Sequence, residues 1–122
     1  MGEYAAVNSF ISGYIDIILL KIISMNDCYG YSISKTISEI TGDDYEIKEA
    51  TLYSGLRRLE SEKLIASYWG DESQGGRRRY YTITRMGNES LQENIIKWEK
   101  TKNRIDKILN WMDRDYGKQF SN

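Results

Sequence analysis

Glu49-Ala50-Thr51-Leu52-Tyr53-Ser54-Gly55-Leu56-Arg57-Arg58-Leu59-Glu60-Ser61-Glu62-Lys63, followed across a β-rich stretch by Gly75-Gly76-Arg77-Arg78-Arg79-Tyr80-Tyr81, decides the reading of this chain. At about 100° per residue, Leu56 and Leu59 fall within roughly a ninth of a turn of Leu52, which predicts an amphipathic helix with a leucine core face. The opposite arc holds Ala50, Ser54, Arg57, Arg58 and Ser61, with Tyr53 at its edge, while Glu49, Glu60 and Glu62 fall on the flanks. Small side chains let a helix backbone approach DNA, hydroxyls reach base edges or phosphates, and guanidinium groups pair with phosphate or guanine. An ordinary solvated face has the same composition, so the helix alone does not choose.

The following segment does. Ile65-Ala66-Ser67-Tyr68-Trp69 and Arg79-Tyr80-Tyr81-Thr82-Ile83 are rich in β-branched and aromatic residues, and the glycine-bounded segment from Gly70 to Gly76 separates them. This pattern predicts an antiparallel hairpin, with Trp69 closing its base. Arg77 and Arg78 leave the tip where a wing would lie over a minor groove or a phosphate backbone. A helix for the groove beside a basic β-arm predicts a winged helix-turn-helix: mainly α, with one small β-hairpin.

Around this centre the rest of the chain falls into place. Ile11, Ile15, Ile18, Ile22 and Met25 share one face of a first helix from about Ser9 to Met25, widened by Phe10, Tyr14, Leu19 and Ile23. A supporting helix is expected from about Ser32 to Thr41, with Gly42 as its stop signal. From Thr84, an N-cap, a single helix is expected to about Tyr116. Leu91, Ile95, Trp98, Lys102, Ile105, Leu109 and Met112 alternate at spacings of four and three, a heptad seam with a lysine at one position. The expected organisation is therefore a DNA-binding domain over 1–83 and a dimerisation helix over 84–122. The seam, together with Ile11 and Ile15 of the first helix, is expected to meet a second copy of the chain.

Composition narrows the chemistry. The 122 residues hold no histidine, which excludes Ser-His and Cys-His nucleophile systems and the usual zinc sites. Cys28 is the single cysteine, so an internal disulfide is excluded, and its expected role is that of a small, partly buried residue. Asp43, Asp44 and Glu46 lack the spacing of a calcium loop and read as a solvated turn. No metal and no cofactor are expected, and an enzyme is disfavoured. The N-terminal residues show no signal-peptide pattern, and the most apolar stretch is too short and too often interrupted by charge to span a bilayer. A cytoplasmic protein without a membrane partner is expected. The net charge is −1. It is unevenly spread: residues 1–47 carry two basic and seven acidic side chains, residues 48–86 eight and five, and residues 87–122 seven and six. The positive excess lies on the suspected reading head, where local field matters more than total charge.

The run Ala50-Thr51-Leu52-Tyr53, then Leu56, Leu59-Glu60, Leu64-Ile65, Tyr68-Trp69, Gly76-Arg77-Arg78-Arg79-Tyr80-Tyr81, Thr84 and Gly87, with Gly30-Tyr31 ahead of the second helix, resembles the PadR family of winged-helix transcriptional regulators. The single C-terminal helix is similar to the short subfamily, and SYWGDESQGGRR is similar to its lactococcal multidrug-responsive repressor. The resemblance implies a homodimeric repressor whose third helix and wing bind a pseudo-palindromic operator, and with the helix face and wing read above the expected DNA-binding residues are Ala50, Thr51, Tyr53, Ser54, Arg57, Arg58, Arg77 and Arg78. It also implies a planar aromatic or phenolic effector at the dimer centre. Trp98 matches the stacking position, and Phe10 and Asn94 match pocket-facing positions. Lys102 departs from the acidic residue of the drug-binding relatives, which points to a neutral or anionic effector. The competing reading is a winged-helix protein–protein adaptor without an effector, whose basic face would grip an acidic partner.

Overall fold

The computed structural model describes residues 14–71 and 76–111. Seven elements follow one another: α1 (Ile15–Met25), β1 (Cys28–Tyr29), α2 (Gly30–Ile40), α3 (Glu49–Ser61), β2 (Ile65–Trp69), β3 (Arg79–Ile83) and α4 (Arg85–Trp111). They form two compact units, residues 1–91 and 92–122, so the first turns of α4 belong to the first unit. The architecture is the expected one, four helices with a small antiparallel sheet, and the sheet carries a strand that periodicity could not reveal. β1 is two residues long and pairs with β3 through Cys28–Tyr81 and Tyr29–Tyr80, giving the order β1-β3-β2. A two-residue strand is too short to carry an alternating pattern.

The core of the first unit is mainly aliphatic. Ile15, Leu19, Leu20 and Ile23 of α1 meet Ile33 and Ile37 of α2 and Leu52, Leu56 and Leu59 of α3, closed by Ile65, Tyr81 and Leu91. At roughly 1.5–3 kcal/mol for each fully buried aliphatic side chain, this cluster is the main source of stability. The leucine face of α3 lies as its spacing predicts. On α1 the buried stripe is shifted from the expected one: Leu19 and Leu20 are fully covered, whereas Ile18 and Ile22 are half-buried and Met25 is exposed. The part of the first helix expected before Ile15, with Phe10 and Ile11, lies outside the described residues.

Two helices end in the same way. After α2, the N–H of Gly42 donates to Glu39 (3.2 Å) and that of Asp43 to Ser38 (2.8 Å). After α3, Lys63 donates to Glu60 and Leu64 to Leu59, both at 3.0 Å. These are Schellman closures, which put the residue after the cap in the left-handed region. Gly42 adopts it at φ +59°, as its role as stop signal implies, but Lys63 adopts it with a side chain at φ 64°. The helix thus closes on a non-glycine residue at a cost of about 1 kcal/mol, and no glycine marks its end in the sequence.

α4 begins on a cap that ties it to the hairpin. The Thr84 hydroxyl accepts from the Gly87 N–H at 3.0 Å and donates to the Lys63 carbonyl at 2.7 Å, while the Thr84 N–H donates to Leu64 at 3.1 Å. Gly87 is buried, and a Cβ there would collide with the Leu64 carbonyl and stand 2.7 Å from Ile83 Cγ1. The threonine and glycine three residues apart are thus one device: the threonine caps the helix and the glycine lets it lie against backbone. Gly87→Ala is expected to destabilise the fold by about 1–3 kcal/mol, because backbone cannot yield as a flexible side chain does. Urea unfolding checks this, and an unchanged midpoint would contradict it.

Candidate nucleic-acid interface

α3 presents the arc anticipated from its sequence. Ala50, Ser54, Arg57 and Arg58 are exposed, and Thr51 and Tyr53 are half-buried. Ile15, Ala50, Thr51, Ser54, Arg57 and Arg58 line an open groove of about 490 Å³ along this face. A second cleft of about 440 Å³ opens between α3, the start of α2 and β3, lined by Arg57, Arg78 and Arg79 together with Tyr29, Gly30, Tyr31, Tyr53 and Tyr81. Arg57 borders both, so the helix face and the wing side are continuous at that residue.

The five neighbouring arginines are not equivalent. Arg58 forms an ion pair with Asp16 of α1, whose hydrogen bond raises the guanidinium pKa further above its usual range. Its charge is therefore partly spent on holding α3 against α1, a tie that no pattern within α3 could disclose. Arg79 donates to Glu60 Oε1 at 2.9 Å, while Glu60 Oε2 accepts from the Ser67 hydroxyl at 2.5 Å. One carboxylate thus binds α3 to both long strands of the sheet. Arg77 and Arg78 lie over aromatic faces, Arg77 5.8 Å from the Trp69 ring centre and Arg78 4.7 Å from that of Tyr29. Among the described residues, Arg57, Arg77 and Arg78 have no carboxylate partner. Trp69 is exposed at the wing end of β2, opposite Arg79, and does not close the hairpin base as expected. Ile65–Ile83 closes it instead.

The outer side of the sheet is aromatic. Tyr68 stacks on Tyr80 at 5.7 Å, Tyr29 meets Tyr80 edge-on at 5.4 Å, and the Tyr68 hydroxyl donates to Asp27 at 2.6 Å. That hydrogen bond raises the Tyr68 pKa, and burial raises that of Tyr81. Burial, reinforced by Asp27, pushes the Cys28 thiol up to about 11, which leaves it neutral and a poor nucleophile at physiological pH. Among the described residues no cluster of side chains could hold a metal ion, and no helix is long and apolar enough to cross a membrane.

A scan against family models matches residues 19–93 to the transcriptional regulator PadR-like family. The chain belongs to the PadR-like family. Members of this family are transcriptional regulators and not enzymes. An uncharacterised protein of Lysinibacillus sphaericus is 42% identical over 106 residues, covering 87% of this chain and 97% of that one. A transcriptional regulator from Clostridium thermocellum superposes with a TM-score of 0.76 at 44% identity, covering 81% of this chain and 96% of the other. Bacillus subtilis PadR, solved in complex with operator DNA, shares the fold at a TM-score of 0.61 and 22% identity over 68% of this chain and 46% of its own. The PadR-like match takes in α3, the wing and the cap of α4, and ends before Asn94, Trp98 and Lys102.

The residues expected at a dimer interface divide. Ile15 is 3% exposed and Leu91 1%, both in the core of their own unit, so neither is available to a second copy. The reason is that the first turns of α4 fold into the first unit, which consumes the start of the heptad seam. Beyond it, Trp98 is 38% exposed, Ile105 49% and Leu109 59%, with Lys102 exposed and Ile95 half-buried. Ile108, 63% exposed, was not singled out by the heptad although it lies about 60° from Ile105 on the helix. Met112 lies outside the described residues.

Proposed function

We propose that the chain is a dimeric repressor that occupies a pseudo-palindromic operator and is released from it by a planar aromatic or phenolic molecule at the dimer centre. The observation that carries the DNA-binding part is the shared position of Arg57: it borders the groove on the outer face of α3 and, with Arg78, the cleft beside the wing. Ala50, Thr51 and Ser54 offer small or hydroxyl-bearing groups to a major groove, while Tyr53, Arg77 and Arg78 offer a phenol and charge to phosphates. Arg58, held by Asp16, contributes as a nearby charge at most. Two-fold symmetry would set the half-sites about one turn of DNA apart, or a multiple of it.

Dimerisation is supported by the apolar stripe of Trp98, Ile105, Ile108 and Leu109 on the second unit's helix, which is costly to leave in water. The effector reading places a flat ligand against Trp98, with Asn94 one turn before and Lys102 one turn after. Phe10 is the fourth residue of that reading and lies outside the described residues. An ammonium at Lys102 favours neutral or anionic ligands in a partly dry site. Release would follow from a difference in ligand affinity between two states of the dimer.

Footprinting on the DNA upstream of the chain's own gene is expected to reveal a protected pseudo-palindrome. Arg77→Ala with Arg78→Ala should weaken operator and random DNA alike and reduce the salt slope by about 2, one for each phosphate contact. Unaltered affinity in the double variant would remove the wing from the interface. Ile105→Asp with Leu109→Asp is expected to yield a folded monomer in analytical ultracentrifugation, and a persisting dimer would place the interface elsewhere. Titrating tryptophan fluorescence with an anionic and a cationic planar dye should show the anion binding more tightly, with the quench lost in Trp98→Ala. The reverse preference would refute the role given to Lys102.

A further inference from the structure

The two clefts beside the N-terminal half of α3 differ in charge, and the difference assigns an occupant to one of them. The cleft lined by Gly30, Tyr31, Ser34, Glu46, Ile47, Lys48, Glu49, Leu52 and Tyr53 is the larger, at about 530 Å³, but sets two carboxylates against one ammonium. The wing-side cleft of about 440 Å³ has three guanidinium groups on its walls and no carboxylate. Glu60 neutralises Arg79 from outside the lining, which leaves Arg57 from α3 and Arg78 from the wing side facing one space.

The surroundings hold these groups in place. Arg78 rests on the Tyr29 ring, and Arg79 is tethered to Glu60 and lies 5.9 Å from the Tyr81 ring centre. The Tyr53 phenol occupies the space a Cβ at Gly30 would need, so α3 and the start of α2 approach closely here. α2 starts at Gly30, and the first N–H groups of a helix favour an anion. Guanidinium groups from two elements, phenol hydroxyls and a helix start form a donor set for a singly charged, oxygen-rich group.

We infer that this cleft seats one backbone phosphate of the operator, clamped between Arg57 and Arg78, with Tyr31 and Tyr53 as hydroxyl donors. The inference rests on the DNA-binding reading and makes it specific: Arg57 is a phosphate ligand, not a reader of bases, and sequence preference falls to Ala50, Thr51 and Ser54. A DNA phosphate is favoured over free phosphate because Arg57 joins this cleft to the groove along α3, where a duplex would already lie. The phosphate would thus fix the angle at which α3 meets the groove.

A methylphosphonate scan tests this on the footprinted operator, since it removes one phosphate charge at a time. With the wild-type protein, one position per half-site should stand out, its replacement weakening binding about tenfold or more. In Arg57→Ala and in Arg78→Ala, whose fold is checked by thermal unfolding, the same replacement should cost less than about twofold, and Arg78→Lys should restore part of the coupling. A replacement that stays equally costly in both variants overturns the clamp. So does desensitisation of different phosphates by the two variants, which would mean two separate contacts. A flat scan with competition by inorganic phosphate at matched ionic strength would assign the cleft to a free anion and likewise overturn it. Absence of any DNA binding by the wild type would defeat the repressor reading itself, an outcome distinct from loss of coupling.

Discussion

The carboxylate of Glu60 is the constraint on which the geometry of α3 and the hairpin depends. It accepts from Ser67 of β2 and Arg79 of β3 while standing on the last turns of α3, so one side chain sets the helix against both long strands. A wing and a helix can address the same duplex only if the angle between them persists. Hydrophobic contact alone is non-directional and would permit sliding. A charge-assisted hydrogen-bond pair specifies a geometry, at an energetic worth that partial exposure keeps modest. Thr84 supplies the complementary tie at the other end of the hairpin, joining α4 to the backbone at Lys63 and Leu64.

Around this frame the arginines divide their labour. Arg58 and Arg79 are paired with carboxylates, Asp16 and Glu60, and stiffen the scaffold, whereas Arg57, Arg77 and Arg78 keep their charge unneutralised by any carboxylate among the described residues. A chain of net charge −1 can therefore present a cationic surface. The aromatic rings beneath Arg77 and Arg78 matter for the same reason. They limit the conformations of two long side chains without neutralising them, which in the proposed complex would lower the entropy lost on binding a phosphate.

α4 serves two ends. Its first turns, with Gly87 and Leu91 buried, complete the core of the first unit, while the stretch from Gln92 belongs to the second and carries an exposed apolar stripe. The boundary between the units falls within α4, so the proposed interface lies on the same helix whose first turns pack into the first unit. A ligand acting near Trp98 would then have a covalent route toward the DNA-binding surface, although the coupling itself still requires a different affinity in each state.

Much of this was legible from residue order, because the relevant signals are local. The leucine spacing of α3, the glycine stop at Gly42, the Thr84 cap and the strand pair around Gly70–Gly76 each depend on a few adjacent residues and a known helical or extended period. The resemblance to the PadR family rested on particular residues, among them Ala50-Thr51-Leu52-Tyr53, Gly76-Arg77-Arg78-Arg79-Tyr80-Tyr81, Thr84 and Gly87. What pattern could not supply were the pairings across distance: β1 with β3, Asp16 with Arg58, and Glu60 with Ser67 and Arg79. Nor could it assign Ile15 and Leu91 to their own core, since a heptad marks an apolar stripe without saying which surface covers it. Periodicity along the chain thus determined which faces are apolar and which are cationic. Only tertiary packing decided which of those apolar residues stay uncovered and which arginines have no counter-ion among the described residues, because both depend on neighbours brought together by the fold.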